Sequence, residues 1–399
     1  MSTTVPRIAS PDQGMVPAFD VTRPNAELSV GDAVKRIASA IKISPIKIAR
    51  DYVTLAIGPG RVSFSDYTKL RLFDEQFYAG NDRREVVGRR RNCNLVLTAN
   101  YRHDCLGLFA NKVAACGYLD AHGFPTVPVT AIYVNNLSSN SDRVLHNARE
   151  LRAFLENEDN YPLFCKPVEG LQSLGTISLK NYSARDGMLE TFDGRWMTVD
   201  RFAAEITAHY GHGYLFQRHL TPHPEVQKIC GARLATLRIV TMATESGPKI
   251  FRACWKIPAG PNAADNYWRS QNLLASIDPA TWCVRQVMAG TGLSLRFHEH
   301  HPDTREVLLG LSVPGGKEAA NTALEAARLM RDMPLIGWDI AVLESGPVII
   351  EMNEKPDFFL NQLADGRGIL DEEFSQFLRV QKRKAAERVV AIKREARQL

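Results

Sequence analysis

The chain has 399 residues, of which 45% are hydrophobic, and its formal net charge is +5. This length is sufficient for two or three packed domains, because domains commonly contain about 100 to 150 residues. The charge is too small for the dense basic surface of nucleic-acid-binding proteins, so we expect no nucleic-acid partner; a small anionic substrate is compatible with it.

The cysteines and the absence of targeting signals favour a cytoplasmic protein. The seven cysteines are scattered, and no two are spaced as Cys-x-x-Cys, so we expect reduced thiols. The N-terminus lacks the apolar core of a signal peptide, and no apolar run approaches the roughly 20 residues that span a bilayer. We therefore predict no membrane insertion.

The first part of the chain divides into an arm and a helical segment. Residues 1–26 contain four prolines and few apolar clusters, which predicts a flexible arm. Residues 27–105 are predicted to be mainly helical, with one amphipathic helical pattern from Val30 to Leu55 and a short helix from Ser65 to Phe77. Five arginines of this segment form either a solvated face or an anion-binding lip; they are Arg83, Arg84, Arg89, Arg90 and Arg91.

From residue 106 onward, helical and strand patterns alternate, as in an α+β or α/β enzyme. Residues 106–220 are predicted to contain helix 106–122, strand 125–133, the hairpin strands 163–166 and 176–179, helix 201–212 and strand 214–219. Residues 221–370 are predicted to contain strands 235–241 and 249–255, helix 316–331 and a closing strand pair. Residues 371–399 are predicted to form a basic helix, which is either a solvated docking helix or an interaction surface.

The closing strand pair is the strongest candidate site. Asp339 lies within an apolar segment, where an unpaired charge would be costly. Glu351 and Asn353 lie in the next apolar run, and oxygen ligands of these types suit Mg²⁺. A three-residue loop at 344–346, or a bulge, would place Asp339 opposite Glu351 with Asn353 on the same face. The alternative is that these are edge-strand residues or partners of nearby arginines.

These residues resemble a known family. Asp339, Glu351 and Asn353, with eleven and then one intervening residue, resemble the magnesium-binding signature of ATP-grasp enzymes. The words Ile336-Gly-Trp-Asp-Ile-Ala and Gly346-Pro-Val-Ile-Ile-Glu-Met-Asn look like the sugar-transfer-associated ATP-grasp group. The resemblance implies an α+β ATP-grasp fold, in which lobes 106–220 and 221–370 clasp ATP and Mg²⁺.

A second motif suits a nucleotide triphosphate. Lys166 ends an apolar strand and precedes a glycine-containing loop, and backbone N–H groups of such a loop can approach phosphate oxygens. A plain hairpin turn is the alternative. The candidate phosphate-binding residues of the loop are Glu169, Gly170, Gln172, Ser173 and Gly175.

The resemblance implies further nucleotide contacts. It places Lys112 near the α-phosphate. It also places Gln217, Arg218 and His219 at an interlobe hinge whose backbone reads adenine. Many family members carry an acidic ribose-binding residue near this hinge, and the candidates for that contact here are His223 and Glu225.

The chemistry of the group is carboxylate activation through an acyl phosphate, followed by attack of an amine. Arg238 lies within an apolar strand, so its guanidinium must reach a charged partner. We predict that it stabilises the transferred charge; a structural salt bridge is the alternative. By resemblance, Lys256 replaces a family arginine in the acyl site, Asp265 and Asn266 line the acceptor pocket, and Gln271 and Asn272 replace a glycine pair.

The predicted function is an ADP-forming ATP-grasp ligase that joins a small-molecule carboxylate to an amine, in natural-product or cell-surface glycan biosynthesis. One alternative is a phosphotransferase built on the same lobes, which would yield a stable phosphorylated product. Another is a non-catalytic nucleotide-binding accessory protein, in agreement with the altered acceptor stretch and the basic tail.

Overall fold

The computed structural model describes residues 29–135, 141, 143–168, 175–262 and 264–395. The predicted arm, residues 1–26, lies outside the described residues. The helices are α1 (Val30–Ile41), α2 (Pro45–Ile57), α3 (Phe64–Lys69), α4 (Arg89–Ala99), α5 (His103–Ala110), α6 (Lys112–Ala121), α7 (Ala148–Leu155), α8 (Val199–His209), α9 (Pro224–Cys230), α10 (Gly316–Leu329), α11 (Phe359–Asp365) and α12 (Glu372–Glu395).

The strands are β1 (Val129–Tyr133), β2 (Val144–Leu145), β3 (Leu163–Pro167), β4 (Ile177–Ser183), β5 (Met188–Thr191), β6 (Trp196–Thr198), β7 (Tyr214–Arg218), β8 (Thr236–Thr244), β9 (Gly247–Ile257), β10 (Leu273–Ile277), β11 (Val284–Ala289), β12 (Arg296–Phe297), β13 (Leu335–Leu343) and β14 (Gly346–Asn353). Among the helices of the described residues, none is both long and apolar enough to cross a membrane. The architecture is α+β, as expected.

Two predicted helices are each divided by a capping residue. The pattern that begins at Val30 is interrupted at Ser44, whose side chain accepts a hydrogen bond from the Lys47 N–H at 3.1 Å and so begins α2. The predicted helix 106–122 is interrupted at Asn111, whose side chain accepts from two N–H groups of the first turn of α6. Side-chain caps of this kind start a new helix where periodicity alone predicts a continuous one. Lys112 is consequently the first residue of α6.

The described chain divides into two compact units. The first contains Thr130–Gln217, and the second contains the described residues of 26–129 and 218–399. The chain therefore passes between the units at residues 129–130 and 217–218. The five-part division predicted from the sequence stays a prediction.

The first unit is built on a seven-stranded sheet, in the order β2-β1-β7-β3-β4-β5-β6. Strands β3 and β4 are antiparallel, with Leu163 opposite Leu179, which confirms the predicted pairing of these segments. Helices α7 and α8 contribute Leu151, Leu155 and Phe202 to the core of this unit.

The second unit is built on a sheet of seven described strands, in the order β12-β11-β10-β9-β8-β13-β14, in which all neighbours are antiparallel. Leu237 and Ile239 pack into a core to which α10 contributes small residues such as Ala323. Because side chains alternate along a strand, Arg238 between them points to the opposite face. That face carries the polar residues of the candidate site.

Amide side chains attach the N-terminal helices to the second sheet. Asn100 donates from Nδ2 to the carbonyl oxygens of Leu335 (2.7 Å) and Glu354 (2.9 Å), and its Oδ1 accepts from the Leu335 N–H (3.0 Å). Gln362 exchanges two hydrogen bonds with the Val87 backbone, at 2.7 and 3.0 Å. The N-terminal helical segment is thus bound to one end of the β13–β14 pair and to α11.

The C-terminal helix packs along only part of its length. Phe374, Phe377 and Leu378 of α12 are buried, whereas Val389 and Ile392 are about half exposed. Residues 396–399 of the predicted helix lie outside the described residues. The interaction role considered for this helix stays a prediction.

Replacing Asn100 with alanine is expected to lower the free energy of unfolding by about 3 kcal/mol, because three backbone groups, two of them buried, lose their hydrogen-bond partner. Urea denaturation followed by circular dichroism measures this. The matched control is Asn94→Ala, an exposed position of the same helix, where we expect little change. Equal stability of the two variants would contradict the clamping role of Asn100.

Candidate functional site

The β13–β14 pair has the register that the proposed metal site requires. Asp339 lies directly opposite Glu351. The turn contains two residues, 344–345, rather than the three of the simplest expectation, and a bulge at Ile350 restores the register. Such a bulge adds one residue to one strand. Asn353 therefore lies on the same face as Glu351, so the bulge fulfils the geometric expectation.

Asp339 is paired within the second unit. Arg238 lies opposite it on β8 and donates from Nε and Nη2 to its two carboxylate oxygens, the second bond at 2.9 Å. Lys256 donates from Nζ to Oδ2 at 3.1 Å. The exposed fractions of these side chains are only 7 to 12%. The structural salt bridge, which was the alternative role for Arg238, is therefore present. That Arg238 also stabilises the charge of the transferred group stays a prediction.

The network fixes the charge of its members. Burial alone raises the pKa of Asp339, but the charges and hydrogen bonds of Arg238 and Lys256 bring that pKa well below its usual range. Burial lowers the pKa of Lys256, yet Asp265 and Asp339 outweigh it and raise this pKa. Lys256 is consequently an ammonium group at neutral pH. It can donate hydrogen bonds and stabilise negative charge, but it is no general base.

Asp265 extends the network on the side predicted to hold the acceptor. Its Oδ1 lies 3.7 Å from Lys256 Nζ, and its Oδ2 accepts hydrogen bonds from the Thr236 N–H, at 2.9 Å, and the Thr236 hydroxyl. Burial raises the pKa of Asp265 despite the lowering effect of Lys256. The predicted acceptor residue is thus joined to Asp339 through Lys256.

The segment around Asn266 is organised by Gln271 and Asn272. Gln271 has φ 77°, a conformation that favours glycine. Asn272 accepts from the Ala259 N–H at 2.9 Å and donates to the carbonyl oxygens of Ala264 and Asn266, both at 2.8 Å. The Asn272 side chain therefore holds the backbone of this segment in place.

Glu351 and Lys112 lie together in the second unit. The distance from Lys112 Nζ to Glu351 Oε1 is 3.8 Å. The Nδ2 atom of Asn353 is buried and has no hydrogen-bond partner among the described residues. Because the oxygen and nitrogen of an amide are assigned from their hydrogen bonds, this unpaired position also suits a carbonyl oxygen.

The donors on this face fit a hard divalent cation. Among the described residues, no three His, Cys, Asp or Glu side chains form a metal-holding group, so the candidate set consists of two carboxylates and one amide. Asp339 and Glu351 supply carboxylates and Asn353 supplies the amide, and Mg²⁺ accepts such oxygen ligands. An ionised carboxylate has about four lone-pair sites, so its bonds to Arg238 do not exhaust Asp339.

The first unit contains the other phosphate candidates. Lys166 is buried on β3, with its Nζ 6.0 Å from the centre of the Phe164 ring. Gly175 has φ 75°, and a Cβ there would come within 2.3 Å of the Tyr210 hydroxyl oxygen, so only glycine fits. The remaining candidates of this loop lie outside the described residues, and their role stays a prediction: Glu169, Gly170, Gln172 and Ser173.

The residues predicted to form the hinge differ in their surroundings. Gln217 is buried, and its Nε2 has no partner among the described residues. Arg218 is exposed. Burial lowers the pKa of His219, so its ring is neutral at pH 7. His223 accepts from the Glu225 N–H at 3.2 Å and thereby caps α9, a structural use of the ring that leaves its proposed ribose contact a prediction.

Sequence reasoning missed two residues beside the network. Thr236 fixes Asp265, as described above. Cys254 lies opposite Arg238, and its thiol sulfur accepts from Asn361 Nδ2 at 3.6 Å. Burial raises the pKa of Cys254 to about 12, so the thiol is neutral. Because residues two apart on a strand share a face, the sequence could have placed Cys254 on the same face as Lys256. Nothing in the sequence indicates the contact with Asn361.

The variant Asp339→Asn is expected to lower the free energy of unfolding by about 3 to 5 kcal/mol, because Arg238 and Lys256 then lose a buried partner. Glu351→Gln is the control, since this side chain is about one third exposed and its change should cost less than about 1 kcal/mol. Urea denaturation measures both. Similar losses in the two variants would refute the stabilising role of the network.

Acid stability tests the same network. The folded-state pKa of Asp339 is lowered, so its contribution to stability is complete well above the unfolded pKa of about 3.9 and is lost progressively as pH falls from about 5 toward the folded-state pKa. Between about pH 6 and about pH 3, we expect the free energy of unfolding to fall more in the wild type than in Asp339→Asn. Parallel pH profiles of the two proteins would contradict this.

Comparison with known proteins identifies the family of the chain. Residues 90–376 match the model of the family described as sugar-transfer associated ATP-grasp. No curated protein matches the sequence significantly. Among solved structures, a biotin carboxylase complex from Campylobacter jejuni has 13% identity and a TM-score of 0.41 and covers 69% of this chain and 47% of its own.

Two D-alanine–D-alanine ligases are also similar. The enzyme from Coxiella burnetii has 15% identity and a TM-score of 0.40, covering 73% of this chain and 62% of its own. The enzyme from Bacillus anthracis has 12% identity and a TM-score of 0.39, covering 71% and 70%. The chain spans about half of the biotin carboxylase and less than two thirds of the Coxiella ligase. With 287 of its residues inside the family match, the chain belongs to the sugar-transfer associated ATP-grasp family.

Proposed function

We propose that the protein is an ATP-dependent ligase that joins a small-molecule carboxylate to an amine, with release of ADP and phosphate. The observation that carries this proposal is the register that sets Asp339 opposite Glu351 beside two buried cations, Arg238 and Lys256. Membership of the ATP-grasp family supports the same chemistry. The biosynthetic setting, natural products or cell-surface glycans, is part of the proposal.

Mg²⁺ would be held by Asp339, Glu351 and Asn353, and when bound it neutralises charge on the phosphate oxygens of ATP. Lys112 lies beside Glu351, so its ammonium group is suited to the phosphates of a nucleotide held there. The other proposed ATP contacts rest on the family resemblance: Lys166, Glu169, Gly170, Gln172, Ser173, Gly175, Gln217, Arg218 and His219.

In the proposed reaction, a carboxylate oxygen of the acid attacks the γ-phosphorus, and the bond to the β,γ-bridging oxygen breaks. This gives an acyl phosphate and ADP. The amine nitrogen then attacks the acyl carbon, loses a proton and displaces phosphate. Arg238 and Lys256 stabilise the negative charge of these steps as fixed donors, because both remain positively charged. Asp265 and Asn266 are proposed to border the acceptor.

One observation favours a non-catalytic alternative. Both oxygens of Asp339 already receive hydrogen bonds from Arg238 and Lys256, as expected of a purely structural network. A nucleotide-binding accessory protein would retain this network without turnover. It would bind ATP but release no ADP.

The ligase proposal is tested by ADP release from ATP and Mg²⁺ over a panel of acids and amines. Glu351→Gln should reduce turnover by about a hundredfold or more, the scale for a damaged metal site, while leaving the fold intact. The control is Glu344→Gln in the exposed turn of the same strand pair, which should keep full activity.

Product mass separates the remaining outcomes. An amide product weighs one water less than the acid and amine together, whereas a phosphorylated product indicates a phosphotransferase. Normal ATP binding without ADP release for every pair in the panel would favour the accessory role.

A further inference from the structure

The predicted arginine cluster of the N-terminal segment contains two kinds of residue. Arg83 donates to both oxygens of Asp51, at 2.8 and 2.9 Å, and Arg84 pairs with Asp82 at 2.9 Å. Arg83 and Arg84 are therefore already paired with carboxylates of the N-terminal segment. Arg89 has a different environment.

The guanidinium of Arg89 lies over two aromatic rings. Its central carbon is 5.1 Å from the centre of the Trp268 ring and 4.6 Å from that of Phe359. Cations at such distances from ring faces are attracted by them. The two rings also contact each other edge to face, with centres 5.4 Å apart. The rings therefore orient the guanidinium plane.

The hydrogen-bonding capacity of this guanidinium is open. Its nearest acid is Asp66, at 4.0 Å from Nε, beyond hydrogen-bond distance. The Asp66 carboxylate already accepts from the N–H groups of Ser63 and Arg89, both at 3.2 Å. Within the described residues, the Arg89 guanidinium donates no hydrogen bond to a protein group. Its side chain is 41% exposed, so a ligand can reach it.

Arg89 contacts two segments of the same unit that adjoin candidate-site residues along the chain. Trp268 lies three residues after Asp265, and Phe359 begins α11, the helix that follows β14. Asn92, on the same face of α4 as Arg89, donates to the Pro356 carbonyl oxygen at 3.1 Å. This hydrogen bond fixes α4 to the segment that follows Asn353 at the end of β14.

The backbone that carries Arg89 is held in place before any ligand binds. A Cβ on the preceding Gly88 would come within 2.7 Å of the Arg61 carbonyl oxygen and 2.8 Å of Asp66 Oδ2. This close packing fixes the start of α4, so little ordering is required when a ligand arrives.

We propose that Arg89 binds an oxyanion group, a carboxylate or a phosphate, carried by the acid or amine substrate in addition to its reacting group. The fork of guanidinium donors matches such groups in a bidentate manner. The substrate class rests on the proposed function, whereas oxyanion binding does not. Arg89 begins α4, so the N-terminal helical segment would supply this specificity.

The test is a titration of the ATP-free protein with glutarate and, separately, inorganic phosphate, followed by tryptophan fluorescence. Glutaramide is the uncharged control. Because Trp268 lies under Arg89, a saturable change is expected with one or both anions, and it should disappear in Trp268→Phe. Arg89→Gln should weaken binding about tenfold or more, the loss of one bidentate charged pair. Exposed Arg90→Gln should leave binding unchanged.

The outcomes separate the possible ligands. Preference for glutarate identifies a carboxylate, and preference for phosphate identifies a phosphate group. No saturable change with either anion, or equal binding by the wild type and Arg89→Gln, overturns the proposal. Arg89→Lys keeps the positive charge but lacks the forked guanidinium donors, so it should bind the anion with intermediate affinity. This variant replaces Arg89→Gln in the test if the glutamine variant does not fold. Since ATP is absent, a failed ligase assay does not affect this result.

Discussion

The buried ion pair of Arg238 and Asp339 is the interaction on which the polar face of the second unit depends. Each residue interrupts an apolar strand, and either charge alone would be strongly destabilising there. Their opposition in register neutralises both, and Lys256 and Asp265 join the same network. The result is a sheet face that keeps cations and carboxylates in a water-poor environment, where electrostatic interactions are strongest.

The bulge at Ile350 determines which residues of β14 share a face with Asp339. Without it, the two-residue turn would shift the partners of β14 by one residue, and Glu351 would no longer share a face with Asp339. The bulge therefore makes Asp339 common to two assemblies: the ion pair with Arg238 and the proposed oxygen donors Glu351 and Asn353. This dual use explains why the structural and the metal-binding interpretations of Asp339 need not compete.

Much of the site could be predicted because its signals are local. A lone carboxylate in an apolar strand, Asp339, and its spacing to Glu351 and Asn353 define the strand pair and the family. Other features depend on distant partners. The caps that divide the helices at Ser44 and Asn111 override periodicity, and the turn length at 344–345 is hidden because a bulge compensates for it. Arg89 stacks on residues far along the chain, so sequence left its arginine cluster ambiguous.

In the proposed function, the β13–β14 face binds a divalent cation together with ATP, beyond its role in the fold. Electron paramagnetic resonance of Mn²⁺, titrated with a non-hydrolysable ATP analogue, measures this most directly. The proposed site predicts a protein-bound Mn²⁺ signal whose affinity falls about tenfold or more in Asn353→Ala. Equal Mn²⁺ affinity in the wild type and Asn353→Ala would contradict it.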